Sequence, residues 1–126
     1  MKNPGPDHPI TIAPSDKRIR VLARGVPIAE TTHALTLREA TYPAVYYIPR
    51  ADTDQTRLVR TTHHTHCPYK GDASYFSIKA GDGTTLANAV WSYETPFPAV
   101  AAIAGHLAFY PDQVTIEEQP LAPAKS

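Results

Sequence analysis

The sequence predicts a mainly β fold: a compact antiparallel sheet or barrel-like single domain with one short helix near the C-terminus. Three observations carry that prediction. Short apolar or alternating runs of strand length follow one another across residues 19–118, with Gly, Pro and Asp turns between them. Thirteen prolines in 126 residues leave no room for a bundle of long helices. A single cysteine cannot close an internal disulfide, which removes the small secreted disulfide scaffold. The length suits one domain, placed at residues 10–118.

Residues 1–9 (MKNPGPDHP) contain three prolines and a glycine, and residues 119–126 (QPLAPAKS) are small and polar; both read as flexible segments. The first strands are expected at 19–23 and 26–29, joined at Arg24-Gly25. Residues 35–39 alternate apolar and polar, as a half-buried strand does. Residues 44–48 are rich in Val, Tyr and Ile and are bounded by Pro43 and Pro49. Residues 74–79 and 86–93, around Gly81-Asp82-Gly83, form the best hairpin, with Tyr75 and Trp91 able to face each other across it. The helix is expected after Thr95 as cap, with Val100, Ile103, Ala104 and Leu107 at helical spacing and Gly105 as a stop. A last hairpin is expected from 106–110 and 114–118 around Pro111-Asp112.

Composition narrows the function. Lys+Arg 12 against Asp+Glu 12 gives no net charge, which argues against a nucleic-acid binder and against a polybasic membrane-surface protein. No apolar stretch opens the chain and none is long enough to span a bilayer, so a cytoplasmic location is the default expectation.

Four groups of residues could carry chemistry. Residues 61–72 (TTHHTHCPYKGD) hold His63, His64, His66, Cys67 and Lys70, but no second cysteine completes a usual structural zinc site. The cluster therefore predicts no metal. Cys67 is either a thiol activated by His66 or Lys70 or an inert, packed side chain. Asp52-Thr53-Asp54 has the spacing of a Mg²⁺-binding pair, yet its place after Pro49-Arg50 favours turn capping. Tyr42, Tyr46, Tyr47, Tyr69, Tyr75, Trp91 and Tyr93 gather on or beside the expected central strands, where they line a small-ligand pocket or build a tyrosine-rich core.

Residues 42–50 (YPAVYYIPR), 67–75 (CPYKGDASY) and 102–111 (AIAGHLAFYP) resemble the domain of unknown function 427 family, also carried under a nucleotidyltransferase-type label. The resemblance extends over about residues 19–116 and includes Glu39 and Trp91-x-Tyr93, with C-P-[YW]-K-G-x-A-S-Y as its most specific run. It implies a compact, mainly β domain of a kind common in bacteria and fungi, and it brings no established reaction. The Gly-Ser element upstream of a paired-carboxylate strand that marks nucleotidyltransferases is absent from this chain.

The residues together point to a small-ligand site lined by Tyr42, Tyr75 and Trp91 and edged by Glu39, Arg50, Cys67 and Lys70. Arg50 and Lys70 would hold an anionic or nucleotide-like ligand, and Glu39 or Cys67 would supply any acid–base or nucleophilic step. No cofactor is implied. The alternative is a non-catalytic interaction module or homodimer, with the same aromatics forming a contact surface.

Overall fold

Alternation along the strands decides the architecture. A computed structural model describes residues 1–121. Its strands are β1 (Ile10–Pro14), β2 (Lys17–Ala23), β3 (Val26–Thr31), β4 (Leu35–Glu39), β5 (Val45–Tyr47), β6 (Leu58–Cys67), β7 (Gly71–Lys79), β8 (Thr85–Ser92), β9 (Ala108–Phe109) and β10 (Thr115–Pro120). They form three antiparallel sheets ordered β1-β4-β5, β10-β2-β3 and β6-β7-β8-β9. Mutual backbone hydrogen bonds of 2.8 Å between Ile48 and Leu107 tie the first sheet to the third.

Two apolar cores result, and the middle strands feed both. On β7, Ala73 and Tyr75 enter one core, while Phe76 and Ile78 enter the other. Trp91 and Val90 on β8, and Ala108 and Phe109 on β9, divide in the same way. Period-two side-chain direction makes this possible, and it explains why these strands are apolar on both faces.

The expected β2–β3 hairpin forms as its sequence requires. Arg24 (φ 50°) and Gly25 (φ 85°) both take positive φ, as a two-residue turn matched to strand twist demands. The β7–β8 hairpin also forms, with Tyr75 opposite Trp91. Gly81 is confined by its neighbours, since a Cβ there would stand 2.7 Å from the Arg24 carbonyl oxygen.

Two expectations need correction. The helix after Thr95 is not an α-helix: Pro98–Ile103 forms 3-10 turns kinked at Val100 (φ −123°), and Phe97 precedes them without a side-chain cap. Pro98 holds Phe97 extended (φ −62°, ψ 154°), so nothing helical can begin before it, and Gly105 ends the run soon after, leaving too short a stretch for an α-helix. Val100 and Ile103 are buried there, and Gly105 (φ 72°) turns the chain out afterwards. The last hairpin is absent as well: β9 pairs with β8, and β10 crosses to pair with β2.

The termini are more engaged than their composition suggests. The Lys2 amide donates to the Pro68 carbonyl (2.7 Å), and Gly5 and His8 exchange backbone hydrogen bonds. Gln119 and Pro120 belong to β10, the Leu121 amide donates to the Asp16 carbonyl (3.4 Å), and residues 122–126 of the expected tail lie outside the described residues. No helix among the described residues is long and apolar enough to cross a membrane.

Candidate functional site

A cavity of about 230 Å³ opens between the β1-β4-β5 sheet and the middle strands. Each wall residue is placed by a strand or by the turn that ends one. Glu39 closes β4, Tyr47 lies on β5, Tyr75 on β7 and Trp91 on β8. Tyr93 and Tyr110 follow directly after β8 and β9, and Tyr42 stands on the β4–β5 loop.

Lys70 arrives from the tight β6–β7 turn. Its amide donates to the Cys67 carbonyl (3.3 Å), and its carbonyl accepts from the Phe97 amide (3.0 Å). Gly71 then takes φ 111°, a conformation that L side chains rarely adopt. The K-G pair therefore supplies both the charge and the bend that turns it inward.

The cavity floor is a chain of charge-assisted contacts. The Lys70 ammonium donates to Glu39 Oε1, and Glu39 Oε2 is 2.7 Å from His8 Nε2. Lys70 is 8% exposed, so this pair is largely withdrawn from water. Burial pushes the Glu39 carboxyl upward, but the hydrogen bonds from Lys70 and His8 outweigh it and leave the pKa below the usual carboxylate value. His8 in turn stacks on Tyr69 at 3.9 Å between ring centroids.

The walls are phenols and an indole. Trp91 Nε1 donates to the Tyr47 hydroxyl (3.2 Å). The Tyr75 hydroxyl lies 3.2 Å from that of Tyr110 and 2.9 Å from Thr65 Oγ1. Burial pushes the phenols of Tyr47, Tyr93 and Tyr110 well above their usual value, so all three stay protonated and able to donate.

The structure brings together Glu39, Tyr42, Lys70, Tyr75 and Trp91 of the residues singled out from sequence. It does not bring Arg50 to them. The Arg50 guanidinium donates to the Gly105 carbonyl (3.0 Å), Ser92 Oγ (3.3 Å) and Glu94 (3.2 Å), and lies over the Phe76 ring. It braces the strands from outside the cavity, so the expected Arg50–Lys70 anion pair is not assembled. Cys67 is half-buried and packs against the same core as Tyr47 and Tyr75 without lining the cavity.

The histidine cluster is dispersed. His63 packs edge-on to Tyr75, and His66 Nδ1 pairs with Asp72 (2.6 Å). Among the described residues no three His, Cys, Asp or Glu side chains converge as metal ligands. Asp54 caps the turn at Gln55–Arg57 by accepting from the Thr56 amide, and Asp52 accepts from Thr31 Oγ1 (2.7 Å). Asp54 is occupied by its own turn and Asp52 by β3.

Sequence reading missed His8 and Tyr110 as site residues. His8 lies in a proline-rich segment whose docking depends on contacts 31 residues away. Tyr110 precedes Pro111 at the end of a two-residue strand, and only its pairing partner β8 places it beside Trp91.

The family model described as a domain of unknown function (DUF427), under the label NTP_transf_9, matches residues 11–120. The chain belongs to this family. The matched span covers nearly all the elements that build the DUF427 cavity here, from β1 to β10, and leaves out His8. No curated protein matches the chain significantly.

Proposed function

We propose that this DUF427 domain binds a small organic ligand in the Lys70 cavity, and that the ligand presents a carboxylate or carbonyl oxygen to Lys70. The observation that carries the reading is the imbalance of hydrogen-bonding capacity at the floor. Both Glu39 oxygens are already engaged, one by Lys70 and one by His8. Lys70 has three donors, and among the described residues only Glu39 accepts from it. Tyr47 accepts from Trp91 and keeps its own proton, and Tyr93 has no acceptor among the described residues. A donor-rich, aromatic cavity suits a planar molecule bearing an acceptor. Glu39 then holds Lys70 in place and is not a free base.

Burial favours a pocket over an interaction surface or homodimer contact. Tyr47, Tyr75 and Tyr93 are 1%, 5% and 7% exposed, whereas Tyr42 alone stands out at 63%. One charge-assisted contact from Lys70 contributes about 1.5–3 kcal/mol. Calorimetric titration with benzoate, acetate and nucleotides tests the reading. Benzoate binding that disappears in Lys70→Met and persists in Arg50→Ala is the expected result. No heat from any of them, or dependence on Arg50 in place of Lys70, sinks it.

A further inference from the structure

A second cavity, of about 510 Å³, adjoins the first. The two share four wall residues, Tyr42, Pro43, Val45 and Trp91, so the β4–β5 loop and the indole form the partition between them. Its character is opposite to that of the first. Ile19, Ile48 and Phe109, each no more than 3% exposed, line it together with Ile116 of β10. Among the described residues, Glu118 is the only charged one in its wall. Val45 and Trp91 of the partition lie on strands, whereas Tyr42 is exposed and sits on the β4–β5 loop, where its ring can turn.

We infer that the ligand is amphipathic: a monocarboxylate whose head meets Lys70 and whose hydrocarbon tail passes between Tyr42 and Trp91 into the second cavity. This inference rests on the reading of the Lys70 cavity as the ligand site. Two features carry it. The space beside the Lys70 site is apolar and about twice as large, and it shares the walls at Tyr42, Pro43, Val45 and Trp91 with it. Glu118 in its wall disfavours a second carboxylate, because it would set like charges beside each other. The tail end is therefore uncharged.

Trp91 is the only tryptophan, and it lies in the shared partition, so its fluorescence reports both cavities. Titration with straight-chain monocarboxylates from acetate to octanoate is the test. Affinity should rise roughly fourfold for each methylene that enters the apolar cavity, and the α,ω-dicarboxylate as long as octanoate should bind more weakly than octanoate. Ile116→Phe and Ala44→Phe, which fill the second cavity from opposite sides and add no indole, should flatten the dependence on chain length while acetate still binds. Lys70→Met should remove binding at every length. Length-independent affinity, a length effect that survives both filling variants, or octanoate binding that ignores Lys70→Met overturns the inference. Acetate that binds through Lys70 with no gain for longer acids leaves the ligand-site reading standing. Failure of every acid to bind removes both.

Discussion

The ammonium of Lys70 meets the carboxylate of Glu39 across 31 residues of sequence, joining the end of β4 to the β6–β7 turn beneath the cavity. Neither group has water to fall back on, since their side chains are 10% and 12% exposed. The pair is costly to place and more costly to break, because removing one partner leaves the other charge buried.

That asymmetry gives the first prediction. Lys70→Met strands Glu39 with His8 as its remaining partner and should destabilise the fold by about 3 kcal/mol, the lower part of the range for a broken buried pair. Lys70→Met/Glu39→Leu removes both charges and should recover a large part of that loss. Urea unfolding of the single and double variants measures the difference. A double variant no more stable than Lys70→Met alone would show that the pair's charges are not what makes the single change costly.

Glu39 also sets an acid limb. Its carboxyl is lower in the folded chain than the ~4.3 of an unperturbed glutamate, so its ionised form stabilises the fold. That contribution is fully present above about pH 5 and disappears as pH falls through the lowered folded value. The charged and titratable partners facing it are Lys70 and His8. Glu94, held low chiefly by its hydrogen bond with Arg60, adds to the same limb but is unchanged in a Glu39 variant. Below about pH 5 the stability of Glu39→Gln should therefore fall less steeply than that of the wild type. Parallel urea midpoints against pH for the two proteins would remove this role from Glu39.

The phenols set the opposite limb. Tyr47, Tyr93 and Tyr110 are all raised by burial, so above about pH 10 the unfolded chain releases protons that the folded chain keeps, and stability falls. Absorbance near the phenolate band should show at least three of the seven tyrosines silent at about pH 11 in the native protein and titrating after denaturation, with Tyr46 also raised. Tyr47→Phe should cost about 1–3 kcal/mol, because it leaves the Trp91 indole N–H without its acceptor, and should shift Trp91 emission. Seven phenols titrating together in the native state would contradict the burial of the cavity wall.

What could be read from sequence was what local chemistry decides. Arg24-Gly25 specifies its own turn, 35–39 alternates, and the Gly81–Gly83 turn joins β7 to β8, although a register shift between Phe76 and Ile78, near Asn88 (φ 51°), is what brings Tyr75 opposite Trp91. These relations place Glu39, Tyr75 and Trp91 on strands that short runs of sequence announce. Arg50 failed for a tertiary reason. It adjoins Tyr47 in sequence, but the 3-10 turn at Arg50–Asp52 directs it to Glu94 and Ser92. β10 pairs with β2 because its Ile116 packs against the first core, a long-range choice to which a turn at Pro111-Asp112 gives no clue. His8 reached the site by the same kind of contact.

Cys67 provides the last prediction. The thiol ends β6, where Pro68 keeps its backbone extended, and it would be activated only by a cation directed at it. Both neighbouring candidates are turned elsewhere: Lys70 donates to Glu39, and His66 is held by Asp72 at 2.6 Å. The side chain instead packs against the core that contains Tyr47, Tyr75 and Tyr93. Native protein should therefore react with iodoacetamide at neutral pH more slowly than a free cysteine peptide, and denaturant should restore the full rate. Cys67→Ser should cost on the order of 1 kcal/mol, from a hydroxyl set against apolar neighbours, and should leave benzoate binding at Lys70 unchanged. Labelling faster than the peptide, with the rate lost in Lys70→Met, would return Cys67 to the chemistry of the site.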